Sequence, residues 1–152
     1  MTTHPTTTYP SLGDLRVLDA MHPALITCPP DSTLRTIARM MATYRVHAIL
    51  VTAHGADELP GGNRWGIVSD VDLIRASSHA DVDGVEVRAL ATQPAVSVPS
   101  TESLRDVAAL MVERGISHAI VVESRSGRPL GVVSTLDVVR ALADFPEQSR
   151  FH

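Results

Sequence analysis

Two short stretches carry the side chains best suited to hold a small polar ligand: Gly66-Ile67-Val68-Ser69-Asp70-Val71-Asp72 and Gly131-Val132-Val133-Ser134-Thr135-Leu136-Asp137. In each, a serine and an aspartate stand three apart where an apolar run gives way to a helical pattern. A carboxylate only accepts hydrogen bonds, so Asp72 and Asp137 suit a group with two adjacent donors, such as a cis-diol. The first turn of the helix that follows offers free N–H groups and a positive dipole end, which attract phosphate. Asp72 or Asp137 repels the same phosphate, so the two effects must address different parts of one ligand. Arg75 and Arg140, one turn further on, and His47 and His118, at the start of apolar strands, are the nearest cations for a phosphate. The histidines would raise phosphate affinity below about pH 6.5. Ser-x-x-Asp is equally the spacing of a capping box, in which serine and acid satisfy each other's backbone amides. Capping and binding are compatible uses of the same residues.

These residues recur because the chain is a repeat. Residues 65–76 align without a gap on 130–141, with six identities and five exchanges of one apolar residue for another. Upstream, His47-Ala48-Ile49-Leu50-Val51 answers His118-Ala119-Ile120-Val121-Val122, and Pro23-Ala24-Leu25 answers Pro94-Ala95-Val96. Leu34, Ile37, Ala38 and Met41 recur as Leu104, Val107, Ala108 and Met111, the spacing of one apolar helix face. Each unit therefore reads strand, helix, strand, strand, helix: about 25–27, 32–45, 47–52, 65–69 and 70–78, then 96–98, 101–114, 118–123, 129–134 and 135–144. Asp31-Ser32 and Ser100-Thr101 are the expected helix caps, Gly115 an expected helix end, and 85–91 a short helix leading into the second unit. The polar stretch Ala53 to Arg64 is an expected long, mobile turn. A unit of about 60 residues buries too little surface to stand comfortably alone, so the two should pack on each other and bring equivalent turns to paired clefts.

Composition narrows the chemistry. All 13 basic residues other than histidine are arginine. Without lysine there is no Schiff base, no pyridoxal phosphate site and no P-loop lysine. The single cysteine, Cys28, forms neither an internal disulfide nor a Cys-x-x-Cys motif and is expected as a buried thiol. The histidines share no metal-ligand spacing, so no metal site is expected. A net charge of -4 argues against nucleic acid and acidic membrane surfaces. With no apolar run of about 20 residues and no export signal, the expected location is the cytoplasm. Hydrolase elbows, zinc-protease helices and dinucleotide-binding glycine turns are missing, so no enzyme activity is expected.

The doubled Gly-apolar-apolar-Ser-x-x-Asp turns, with Pro30-Asp31-Ser32-Thr33-Leu34 and its shifted echo Pro99-Ser100-Thr101-Glu102-Ser103-Leu104, resemble a tandem pair of cystathionine-β-synthase (CBS) domains, often called a Bateman module. The likeness covers about 17–144. It implies an α/β (α+β) fold of two β-α-β-β-α repeats, 13–78 and 85–144, packed sheet to sheet about a pseudo-twofold axis. A linker is expected at 79–84 and flexible tails at 1–12 and 145–152. The resemblance implies a stand-alone, energy-sensing regulatory module. It requires no cofactor, binds AMP, ADP, ATP, S-adenosylmethionine or an NAD-type ligand as effector between the repeats, and signals in trans to a protein partner. By the same resemblance Asp72 and Asp137 take ribose hydroxyls, Ser69 and Ser134 take ribose or phosphate, and Thr27, Ser97 and Val98 lie against the base. Family members often carry proline where this chain has Ile49 and Ile120, which alters the cleft edge. Such modules commonly pair, so a homodimer is expected. The alternative is a ligand-free dimeric scaffold built on the helix faces around Met41 and Met111.

Overall fold

A computed structural model describes residues 11–23, 25–53, 65–79, 81–91 and 95–144. Of the expected tails at 1–12 and 145–152, residues 1–10 and 145–152 lie outside the described residues, as does most of the turn between 53 and 65. The first unit runs β1 (Thr27–Cys28), α2 (Leu34–Tyr44), β2 (Ala48–Thr52), β3 (Trp65–Ser69) and α3 (Asp70–Ser77). The second runs β4 (Ser97–Pro99), α4 (Leu104–Arg114), β5 (His118–Val122), β6 (Pro129–Ser134) and α5 (Thr135–Ala143), and a one-turn helix α1 (Val17–Ala20) precedes both. Each unit makes a three-stranded sheet in which the short first strand pairs parallel to the central strand, and the third pairs antiparallel to it. Strands β3 and β5 meet between the units, which join sheet to sheet as expected.

The apolar faces seen in the sequence are core faces. Leu34, Ile37 and Met41 of α2 are buried, as are Leu104, Val107 and Met111 of α4. Met41 and Met111 are only 7 % and 1 % exposed, so the expectation that their faces form a dimer surface is corrected. Exposed apolar residues group on α3 and α5, as Val71, Ile74, Leu136, Val139 and Leu142, with Leu18, Tyr44 and Val112 exposed singly on α1, α2 and α4.

The caps also differ from expectation. Thr33 and Ser103 cap α2 and α4, because Ser32 is tied into a turn by Pro29 and Val87, and Ser100 into the sheet by Val122. Gly115 ends α4 in the left-handed region at φ 62°, as expected, and Arg45 ends α2 in the same conformation at φ 53°.

Two segments cross between the units. Val17, with Leu12, Leu15, Ala20 and Met21, packs into the core of the second unit. Backbone bonds from Val17 to Glu102, Leu18 to Ser100 and Leu104 to Leu15 hold it there. Conversely Val87 and Ala91 complete the core of the first unit, with Leu34 bonded to Val85 and Val87 to Ser32. The segment expected to lead into the second unit is a 3-10 turn at Val87–Ala89, docked on the first.

The strand ladders correct one alignment. Thr27 pairs with Leu50 and Ser97 with Ile120; Ala48 pairs with Ser69 and His118 with Ser134. Ala48, not His47, is therefore the counterpart of His118, and Leu50, not Ile49, that of Ile120. Since side chains alternate along a strand, the one-residue difference places the two histidines differently.

Candidate functional site

Both Ser-x-x-Asp turns form the same object. Ser69 caps α3: its Oγ accepts from the Asp72 amide at 3.2 Å, and Asp72 Oδ2 accepts from the Ser69 amide and hydroxyl, each at 2.9 Å. Ser134 and Asp137 repeat this on α5 at 3.2, 2.8 and 2.9 Å. The capping use is thus present in both turns. Each cap spends one carboxylate oxygen and leaves Oδ1 for another partner.

Each turn opens on a cleft completed by the other unit. A cavity of about 440 Å³ is lined by Ile67, Ser69, Asp72 and Arg75 from the first unit and Val96, Ser117 and His118 from the second. A cavity of about 340 Å³ is lined by Ser134, Asp137 and Arg140 from the second unit and Ile26, Arg45 and His47 from the first, with His22 and His118. The packing thus brings Ser69, Asp72, Arg75 and His118 together in one cleft, and Ser134, Asp137, Arg140, His47 and His118 in the other.

It does not bring Thr27, Ser97 and Val98 to the cavity walls, where Ile26 and Val96 stand instead. Val98 is buried in the second core. Thr27 and Ser97 are exposed on edge strands, and because the Ile26 and Val96 carbonyls bond inward to Leu50 and Ile120, the backbone groups of Thr27 and Ser97 point to the open edge.

The two histidines do different things. His47 is exposed, and its Nδ1 lies 2.8 Å from Asp70 Oδ2, a hydrogen bond that holds the Asp70 carboxyl below the usual carboxylate range. His118 stands between the clefts, its Nδ1 2.9 Å from Ser117 Oγ. Burial holds its imidazole below the ordinary histidine value, with His47 adding to the effect and Asp70, Asp137 and Asp72 opposing it. Protonation below about pH 6.5 is therefore harder at His118 than the residue type alone implies.

Ile26, Arg45, Ile67, Val96, Ser117 and His22 line the clefts without having been singled out from the sequence, and His22 is the one that engages an aspartate. His22 Nε2 lies 2.8 Å from Asp137 Oδ1 and 3.4 Å from an Arg140 nitrogen. One ring nitrogen cannot donate to a carboxylate while accepting from a guanidinium, so the shorter contact is the hydrogen bond. Asp137 is 2 % exposed at its side chain, whereas Asp72, whose Oδ1 has Arg75 at 3.7 Å, is 36 % exposed. His22 and Asp137 lie too far apart in sequence for spacing to connect them. Cys28 is buried as expected, and burial pushes its thiol up to about 11. Among the described residues no group of acidic, histidine or cysteine side chains is arranged to hold a metal, and no helix is long and apolar enough to cross a membrane.

Comparison with known proteins matches the CBS domain family model at residues 12–79 and 87–144. An uncharacterized 17.7 kDa protein of Acidianus ambivalens is 27 % identical over 116 residues, 76 % of this chain; the chain spans 65 % of that relative's length. A CBS domain protein of unknown function from Thermoplasma acidophilum superposes with TM-score 0.72 and 25 % identity over 83 % of this chain and 68 % of its own. The CBS domain pair of protein MJ0100, solved with 5'-methylthioadenosine and S-adenosyl-L-methionine, superposes with TM-score 0.70 and 19 % identity over 85 % of this chain and 96 % of its own.

Proposed function

The chain belongs to the CBS domain family, as a tandem pair, and from that premise we propose that it is a regulatory module that binds an adenosyl ligand between its repeats and signals in trans to a protein partner. The observation that carries this reading is the Asp72 turn: a capped carboxylate with one oxygen still facing a cleft built by both repeats. That oxygen accepts from ribose hydroxyls, the adenine lies against the cleft wall at Val96, and Arg75 and His118 meet whatever negative charge the ligand carries. The ligands bound by the MJ0100 pair support the adenosyl class. A ligand touching both repeats favours one mutual orientation, and shifts the equilibrium by no more than its difference in affinity for the two states.

The effector is an adenine nucleotide, S-adenosylmethionine or an NAD-type molecule, acting in the cytoplasm, where such ligands and a reduced Cys28 coincide. No step in this reading is catalytic. The exposed apolar residues of α3 and α5 favour a homodimer through those helices, which is also the surface a ligand-free scaffold would use. Isothermal titration with AMP, ADP, ATP, S-adenosylmethionine and NAD separates the two. Binding that is weakened by Asp72→Ala supports the sensor; silence across the panel at millimolar concentration leaves the scaffold. ATP turnover abolished by Asp72→Ala would overturn the non-catalytic reading.

A further inference from the structure

We propose that His22 makes the two clefts unequal: its imidazole occupies Asp137, so the Asp72 cleft takes the first adenosyl ligand and the Asp137 cleft takes one only when His22 is displaced. The inference rests on the reading above that the clefts bind adenosyl ligands. The two turns have the same caps, so the difference lies in the remaining oxygen. At Asp72 the nearest cation to Oδ1 is Arg75 at 3.7 Å; at Asp137 the same oxygen is bonded to His22 at 2.8 Å and the side chain is closed from solvent. A ribose approaching Asp137 finds both oxygens in use.

His22 is held there by its backbone. Its amide donates to the Val132 carbonyl at 3.0 Å and its carbonyl accepts from the Val132 amide at 3.2 Å, adding a bridge beside β6. The approach depends on Gly131, where a Cβ would lie 2.3 Å from the His22 carbonyl oxygen. His22, Asp137 and Arg140 line both the Asp137 cleft and a neighbouring hollow of about 430 Å³ that also takes in Asp19, Met21 and Asp144, and displacing the imidazole needs only side-chain rotation, which leaves the backbone bridge in place. The sequence ahead of the second repeat, Thr92-Gln93-Pro94, has glutamine rather than histidine before its proline, so the repeat supplies no counterpart of His22 for Asp72. Displacing a hydrogen bond to a charged carboxylate lowers apparent affinity roughly 10- to 100-fold.

Titration calorimetry and native mass spectrometry with AMP and with S-adenosyl-L-methionine test this on the full chain. The expected result is one tight site per chain, lost in Asp72→Asn, and a second site at least about 10-fold weaker. His22→Ala strengthens the second site roughly 10- to 100-fold and leaves the first unchanged; His22→Gln, which keeps a hydrogen-bond donor and the backbone pairing but not the ring, gives an intermediate gain. Two equal sites in the natural chain, or a second site indifferent to both His22 variants, overturns the inference while leaving the sensor intact. No binding of either probe by any variant defeats the sensor reading and the inference with it.

Discussion

Replacing Asp72 and Asp137 one at a time by alanine should expose how differently the two turns are used. Asp72→Ala removes a carboxylate that accepts from the Ser69 amide and hydroxyl, in a side chain that is 36 % exposed. That is the loss of one helix-cap interaction, about 1 kcal/mol. Asp137→Ala removes the same cap and also the 2.8 Å contact with His22. A hydrogen bond to a charged group adds about 1.5–3 kcal/mol when well shielded, but the His22 side chain is 59 % exposed, which discounts it to about 1–2. Relief from the desolvation of the Asp137 carboxylate works the other way and caps the total near 3 kcal/mol. For a chain of this size each kcal/mol moves the melting temperature by about 2–4 °C, so Asp72→Ala costs about 2–4 °C and Asp137→Ala about 4–12 °C. Calorimetric melts of both variants, with His22→Ala and the His22/Asp137 double variant completing a cycle, measure this; the cycle should return a coupling of about 1–2 kcal/mol. Equal losses from the two aspartates, or a coupling near zero, would refute the assignment of His22 as the partner of Asp137.

Gly131→Ala drives a Cβ into the His22 carbonyl, which is backbone and cannot swing aside, so it should cost more than about 2 kcal/mol in urea unfolding and loosen His22 from Asp137. Cys28, with its thiol at about 11 in the fold, should resist alkylation at pH 8 and react readily in denaturant. Because the unfolded thiol ionises near 9.0, stability should fall as pH rises from about 9 through 11, and Cys28→Ser should lack that slope. His118 binds its proton less readily in the fold than in the unfolded chain, so its contribution runs the other way: stability declines as pH drops below about 6.5, and His118→Ala flattens that limb. If the proposed homodimer forms through α3 and α5, Ile74→Glu with Val139→Glu, on residues 67 % and 56 % exposed, should convert it to monomer in light scattering with little change in melting of the monomer.

The repeated turns, the buried helix faces and the Gly115 helix end could be read from the chain because each rests on local spacing. Spacing misleads where two registers fit the same letters. His47-Ala48-Ile49 and His118-Ala119-Ile120 match as text, yet the helices before them are displaced by one residue relative to that match, and only the pairing of Ala48 with Ser69 and His118 with Ser134 decides between the two registers. Resemblance puts Thr27 and Ser97 against the ligand, whereas the cavity walls begin one residue earlier, at Ile26 and Val96. The destinations of residues 12–22 and 85–91 were not visible: such short apolar segments carry no period that says which sheet they cover. His22 was hidden for the same reason, since its role depends on a bridge to Val132 rather than on any neighbour in sequence.

The exchange of Val17 and Val87 between the two cores sets a limit on how the chain can be divided. A cut at Ser78 would yield a front piece whose Ile37 and Val68 lie bare where Val87 belongs, and a back piece whose Val107 and Val133 lack Val17. Neither fragment owns a complete interior, so the pair should melt in one transition and the halves should refold only when mixed. For an engineer, the smallest transplantable piece is the interlocked whole.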